Sequence, residues 1–237
     1  MLEKVNKSFK LSGRNMRVVE DVSLRVEAGE AVALLGPSGC GKSTLLGLVA
    51  GFYPPDSGQV HTEGRIGMMM QDDMLLPWRD VLSNVCLPVE IRDKKSLPRA
   101  REQANELLPL FGLDGFGASL PSQLSGGMRQ RAALLRTVMG EGDFWLLDEP
   151  FARLDALTKE ELQEWLIEIR ERFSSGMLLV THDMDEALLL CNRIYLMSAR
   201  PGRIIEEMPV KEKAPAYMAQ QKMEMKRILR SGNSSKI

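Results

Sequence analysis

Apolar residues fall in two kinds of run along this chain. Some runs are short and continuous: Ala31-Val32-Ala33-Leu34-Leu35, Phe144-Trp145-Leu146-Leu147 and Met177-Leu178-Leu179-Val180. Runs of that length read as strands buried on both faces. Others recur at helical spacing. Across residues 158–173, Leu162, Trp165, Leu166, Ile169 and Phe173 fall on one helical face. Helical patterns also run from Lys42 to Ala50, near Leu97–Phe111 and near Met128–Val138. Residues 18–26 are rich in β-branched side chains and lead into the turn residues Ala28-Gly29-Glu30, which predicts a further strand.

Buried strands alternating with helices imply an α/β fold with a mostly parallel sheet. Residues from about 72 to 139 depart from this rhythm. Strand signals are few, and glycine, proline and serine break the helical pattern at 112–125. The stretch predicts a helical subdomain inserted into the α/β domain. From Lys211 to Ile237 the chain is polar and contains methionine, predicting a short helix with a frayed, Ser-rich end. No internal repeat or long linker is evident.

A chain of 237 residues suits one large domain or two small ones. The net charge of -1 supplies no basic field for nucleic acid, so no nucleic-acid partner is expected. The longest apolar runs, such as Ala187–Cys191, fall far short of the roughly 20 residues that span a bilayer. The N-terminal residues lack the apolar core of a signal peptide. A cytoplasmic chain is therefore expected. The three cysteines, Cys40, Cys86 and Cys191, are scattered and suggest neither a disulfide framework nor a zinc site.

Chemistry concentrates after the first buried strand. Gly36-Pro37-Ser38-Gly39-Cys40-Gly41-Lys42-Ser43 fits the phosphate-loop pattern between a strand and a helix. Glycines let successive N–H groups converge on an anion, and the helix N-terminus adds positive potential there. Lys42 is expected to reach the β- and γ-phosphates of ATP, and the Ser43 hydroxyl to bind Mg2+. A merely structural turn would have little use for Lys42-Ser43-Thr44 at a helix start. Asp148-Glu149-Pro150 follows another buried strand, where ligands gather in open α/β sheets. Asp148 is expected to hold Mg2+ through water, and Glu149 to orient or deprotonate the attacking water. Taken alone, either carboxylate is equally a helix cap or a solvated loop residue.

Leu124-Ser125-Gly126-Gly127-Met128-Arg129-Gln130-Arg131 closely resembles the LSGGQ-type signature of ABC ATPases. The resemblance spans roughly residues 3 to 210. It implies a P-loop NTPase fold with an N-terminal antiparallel β subdomain and an inserted helical subdomain. It also implies that residues 211–237 form a separate tail. Ser125, Gly126, Gly127 and Met128 of one subunit would close over the γ-phosphate held by a second subunit, so a dimer is implied. Gln71 resembles the family's glutamine that contacts Mg2+ and water and senses the permease. Leu154-Asp155 resembles the D-loop. His182, in Val180-Thr181-His182-Asp183, resembles the switch histidine that contacts the γ-phosphate and positions the water. Phe9 lies where an aromatic stacks on adenine, or else belongs to the core. His61 has no such context and reads as structural.

Three features depart from the pattern or stand open. Met128 replaces the common glutamine, as in a subset of importer ATPases. Arg153 stands where the family has a small residue, and either pairs across the dimer interface or points to solvent. Cys40 lies by a helix N-terminus and Lys42, where a thiol pKa tends to fall. Alkylation there would block ATP binding, unless Cys40 is simply a small residue.

The segment from Gln71 through Leu75-Leu76-Pro77-Trp78 to Asn84-Val85, and the run from Asp148 to Thr158, look like bacterial importer ATPases of the nitrate, sulfonate and taurine group. That resemblance implies a peripheral subunit at the cytoplasmic membrane face, a two-subunit integral membrane permease and an extracytoplasmic solute-binding protein. Leu75–Trp78 reads as a permease-docking surface or as an exposed turn with an apolar anchor. Exporter, lipid-transport and non-transport ABC ATPases share the ATP-site motifs and stand as alternatives.

Overall fold

The computed structural model describes residues 1–11 and 13–234, and it divides into two compact units: Met1–Gly64 with Gly176–Ile237, and Arg65–Ser175. Residues 235–237 of the tail expected to fray lie outside the described residues.

The first unit opens with β1 (Leu2–Leu11), which pairs antiparallel with β2 (Arg14–Leu24). Between β2 and the next helix runs β3 (Ala31–Leu35), all five residues of which are buried. Helix α1 (Lys42–Val49) follows, and then β4 (Ser57–Val60), which pairs antiparallel with β1. The three antiparallel strands bury Val5, Val19 and Val22.

The second unit begins with β5 (Ile66–Met69) and turns helical: α2 (Val81–Val85), α3 (Leu87–Arg92), α4 (Leu97–Leu107) and α5 (Gly126–Met139). It then adds β6 (Phe144–Asp148), parallel to β5, and α6 (Ala156–Phe173). Side-chain caps set several of these helix starts. Asp80 accepts from the Ser83 N–H before α2, and Asp155 accepts from the Thr158 N–H before α6. Helix α6 buries Leu162, Leu166 and Ile169 as its periodicity predicts, while Trp165 meets Phe111 edge-on with centroids 4.4 Å apart. Phe173 shares the predicted face but not its burial. It is the last helical residue, beside left-handed Ser174, and 43% of it is exposed.

The chain returns to the first unit with β7 (Gly176–Thr181), α7 (Met184–Leu190), β8 (Arg193–Met197), β9 (Ile204–Pro209) and α8 (Pro215–Ser234). Strand β3 lies between β7 and β8, parallel to both, and β9 closes the edge antiparallel to β8. The continuous apolar run of β3 is explained by this central place. Helix α8 has 20 residues and reaches into the Ser-rich end, longer than the sequence suggests. Met225, fully buried, anchors it. No described helix is long and apolar enough to cross a membrane.

Truncating Leu34, at the centre of β3, removes a side chain with no solvent exposure. Leu34→Ala should lower stability by about 2–5 kcal/mol in chemical denaturation; an unchanged midpoint would contradict the central place of β3.

Candidate functional site

The candidate residues are shared between the units. The first holds Phe9, the 36–44 loop and His182. The second holds Gln71, Ser125–Met128, Asp148, Glu149 and Asp155.

In the first unit, Leu35 is in register with Thr181. The phosphate loop and His182 thus leave adjacent parallel strands at the same carboxyl end. Gly39 and Gly41 take φ of +72° and +111°, which other residues resist, and the turn delivers α1 with its N-terminus toward the loop. Lys42 is buried, and its ammonium donates to the carbonyl oxygens of Gly36 at 2.8 Å and Pro37 at 3.1 Å. It therefore stands inside the loop, while Ser43 is exposed at the helix start. Phe9 is not core. It is partly exposed, meets Tyr53 edge-on at 5.4 Å, and has the Lys7 ammonium 5.5 Å from its ring. Tyr53 in turn donates to the Thr44 carbonyl at 3.1 Å. His61 lies on the surface beside Gln59.

For Cys40 the structure favours the plain small residue over the reactive thiol. Its side chain is 1% exposed, and burial pushes its thiol up, outweighing the lowering by Lys42. Its Sγ would lie 3.2 Å from a Cβ built on Gly36. A segment unmarked by the sequence reading, Arg200-Pro201-Gly202, braces the same loop. Arg200 donates to the Gly39 carbonyl at 3.0 Å, and a Cβ on Gly202 would lie 2.1 Å from the Cys40 carbonyl oxygen. The Pro201-Gly202 pair after a buried strand was the available signal.

In the second unit, Met69 is in register with Leu147, so Gln71 and the Asp148-Glu149 pair leave the same end of β5 and β6. Asp148 is buried and Gln71 exposed. Glu149 takes φ +50°, a left-handed conformation that costs a non-glycine residue on the order of 1 kcal/mol or more. Gln130, buried one turn into α5, holds that turn: its amide donates to the Glu149 carbonyl at 2.8 Å, and its carbonyl accepts the Arg153 N–H at 2.9 Å. Gly126 and Gly127 lie in the first turn of α5 rather than before it, with Ser125 as the cap, accepting from the Met128 N–H at 3.2 Å. A Cβ on Gly127 would lie 3.1 Å from the Arg153 carbonyl, so the acidic turn runs close along the signature. Asp155, the cap of α6, is held below the usual carboxylate range by hydrogen bonds from Thr158.

Arg153 pairs with Asp72 of its own chain at 3.3 Å, both exposed, a contact worth at most about 1 kcal/mol. Further arginines tie the segment after Gln71 to α5. Arg129 bonds Asp73 at 3.0 Å, and Arg136 donates to the Asp73 and Met74 carbonyls at 2.7 Å. Asn84, fully buried, accepts the Leu76 N–H and donates to the carbonyls of Leu76, Arg79 and Asp80. It pins the 75–80 turn with Leu75 buried and Trp78 left 73% exposed.

Residues 19–152 match the family model described as ABC transporter. Over 216 residues the chain is 42% identical to the taurine import ATP-binding protein of Pseudomonas aeruginosa, covering 88% of this chain and 82% of that one. It is 42% identical over 224 residues to the formylaminopyrimidine import ATP-binding protein of Halalkalibacterium halodurans, covering 90% and 89%. With the aliphatic sulfonates import ATP-binding protein of Bacillus subtilis it shares 38% over 212 residues, covering 86% and 82%. A dimeric ATP-binding cassette in a post-hydrolysis state, bound to ADP and phosphate, superposes with a TM-score of 0.81 at 28% identity, covering 90% of this chain and 99% of that one.

Gly202→Ala forces a Cβ against the Cys40 carbonyl, so it should displace the loop and weaken ATP binding; retained affinity would show that this brace is dispensable. Cys86 has its thiol pushed up to about 11 by burial, and Cys40 is raised likewise. Since the thiolate reacts, neither should be alkylated at neutral pH in the native chain, with or without ATP, and both should react on denaturation. Mass spectrometry of the alkylated chain reads this out.

Proposed function

This chain belongs to the ABC transporter family, and from that membership we propose that it is the ATP-binding, ATP-hydrolysing subunit of an importer. It drives a separate membrane permease for nitrate, a sulfonate, taurine or a similar small solute. The names of the relatives above favour import over export and over non-transport work. The observation that carries the ATPase reading is the phosphate loop: left-handed glycines, a buried Lys42 inside the turn, and a helix start behind it.

ATP binds with its phosphates in the 36–44 loop and its adenine against Phe9. Lys42 and the N–H groups of Gly39–Thr44 offset the phosphate charge. Ser43, Gln71 and Asp148 offer hydroxyl, amide and carboxylate oxygens, the donor set of a hard cation such as Mg2+, which neutralises phosphate charge when bound. Glu149 accepts a proton from, or orients, the attacking water. His182 contacts the γ-phosphate and steadies that water. Residues 125–128 of a second copy close over the γ-phosphate, and Asp155 lies at that junction. Neither half neutralises the triphosphate alone, so ATP joins two copies in an isologous dimer and its hydrolysis releases them. Residues 1–210 carry this machinery. The exposed Trp78 turn docks the permease at the cytoplasmic membrane face, and the permease receives solute from an extracytoplasmic binding protein.

Glu149→Gln should keep ATP binding and lower turnover by about 10² to 10⁴, the usual worth of a positioned base. Wild-type hydrolysis would remove Glu149 from that role. The same variant, tagged and recovered from gently solubilised membranes with Mg-ATP, should bring down a permease. Recovery of soluble partners or nucleic acid alone would contradict the transport assignment.

A further inference from the structure

His182 sits on the surface at the tip of β7, yet its two neighbours in the chain are tied together underneath it. Thr181 and Glu186 are buried, 1% and 4% exposed. The Thr181 hydroxyl donates to Glu186 Oε2 at 2.5 Å and accepts the Asp183 N–H at 3.0 Å. The Asp183 carboxylate accepts the N–H groups of Asp185 at 2.8 Å and Glu186 at 3.4 Å, capping α7. Residues 181–186 thus close into a hydrogen-bonded ring that spans His182 on both sides.

Packing does not explain Glu186. Its neighbours Ala187 and Leu188 are fully buried, and an apolar residue at 186 would avoid the desolvation cost of burying a carboxylate. What the carboxylate supplies is an anchor for the Thr181 hydroxyl, and through it for the peptide that follows His182. The outer side of α7 is held as well. Lys222 of α8 pairs with Asp185, and Lys213 donates to the Leu189 carbonyl. Helix α7 is therefore a fixed base, and the histidine stands on the one turn between it and the strand.

We propose that Glu186, acting through the Thr181 hydroxyl, is a positioning residue that fixes the peptide of His182 so that its ring meets the γ-phosphate of ATP. The inference rests on the role given to His182 above. Neither Glu186 nor Thr181 touches ATP in this scheme, so their loss slows turnover and leaves nucleotide affinity intact.

The test measures ATP turnover and equilibrium ATP binding for single and paired variants of the purified chain. Displacing a reacting group by an ångström costs up to about 10²-fold, so Glu186→Ala and Thr181→Val should each lower kcat by about 10- to 10²-fold. ATP affinity should stay near that of the native chain. Glu186→Gln keeps an acceptor oxygen and Thr181→Ser keeps the hydroxyl, so both should restore most of the rate. Combining Glu186→Ala with His182→Ala should slow turnover no further than His182→Ala alone. Native kcat in Glu186→Ala, parallel loss of ATP binding, or a multiplied loss in the double variant would each overturn the proposal. A slowed His182→Ala beside an unaffected Glu186→Ala would overturn it alone. An active His182→Ala would remove the role of the histidine and the proposal with it. If Glu186→Ala does not fold, the Thr181→Val and Thr181→Ser pair reads the same contact.

Discussion

The parallel pairing of β3 with β7 and β8 is the constraint on which the nucleotide-facing half of the first unit depends. It buries β3 completely, so the chain cannot bend until Leu35, and it aligns Leu35 with Thr181. The sharp turn after Leu35 then falls to the glycines of the phosphate loop, and the turn after Thr181 falls to His182. A strand slipped by one residue would turn its side chains to the wrong faces and separate the two turns. The loop itself is held from inside by Lys42 and from outside by Arg200 and Gly202.

The second unit uses the same device and adds polar cross-links. Register between Met69 and Leu147 brings Gln71 beside the acidic pair, and Gln130 then fastens the strained Glu149 turn to α5. Because α5 begins at the signature, the turn that carries the residue proposed to activate water is fastened to the same helix that opens with the segment proposed to reach a second copy's ATP. Asp73, gripped by Arg129 and Arg136, joins the segment after Gln71 to that helix too. The helix α5 is thus tied both to the Glu149 turn and to the segment leading into the exposed Trp78 turn proposed to dock the permease.

Most of this was legible in the sequence where local pattern decides structure. Continuous apolar runs marked β3, β6 and β7, and spacing marked α4, α5 and α6. The phosphate loop and the acidic pair could be named because their chemistry is written in consecutive residues. What escaped depends on partners distant in the chain. Arg153 finds Asp72 across 81 positions, and Gly202 matters because of Cys40. The two readings of Cys40 are separated only by tertiary structure: charge and helix direction are local, whereas the burial that raises its thiol is not. Phe173 fits the helical period but lies where the helix ends, and α8 runs on into the Ser-rich stretch.

The central claim is that ATP completes its own site by joining two copies. Sedimentation velocity of the Glu149→Gln variant, with Mg-ATP and separately with Mg-ADP, tests this most directly. A dimer with ATP that is a monomer with ADP, and that Ser125→Arg abolishes without loss of ATP binding, is the predicted result. A monomer saturated with ATP, or a dimer indifferent to nucleotide, would contradict it.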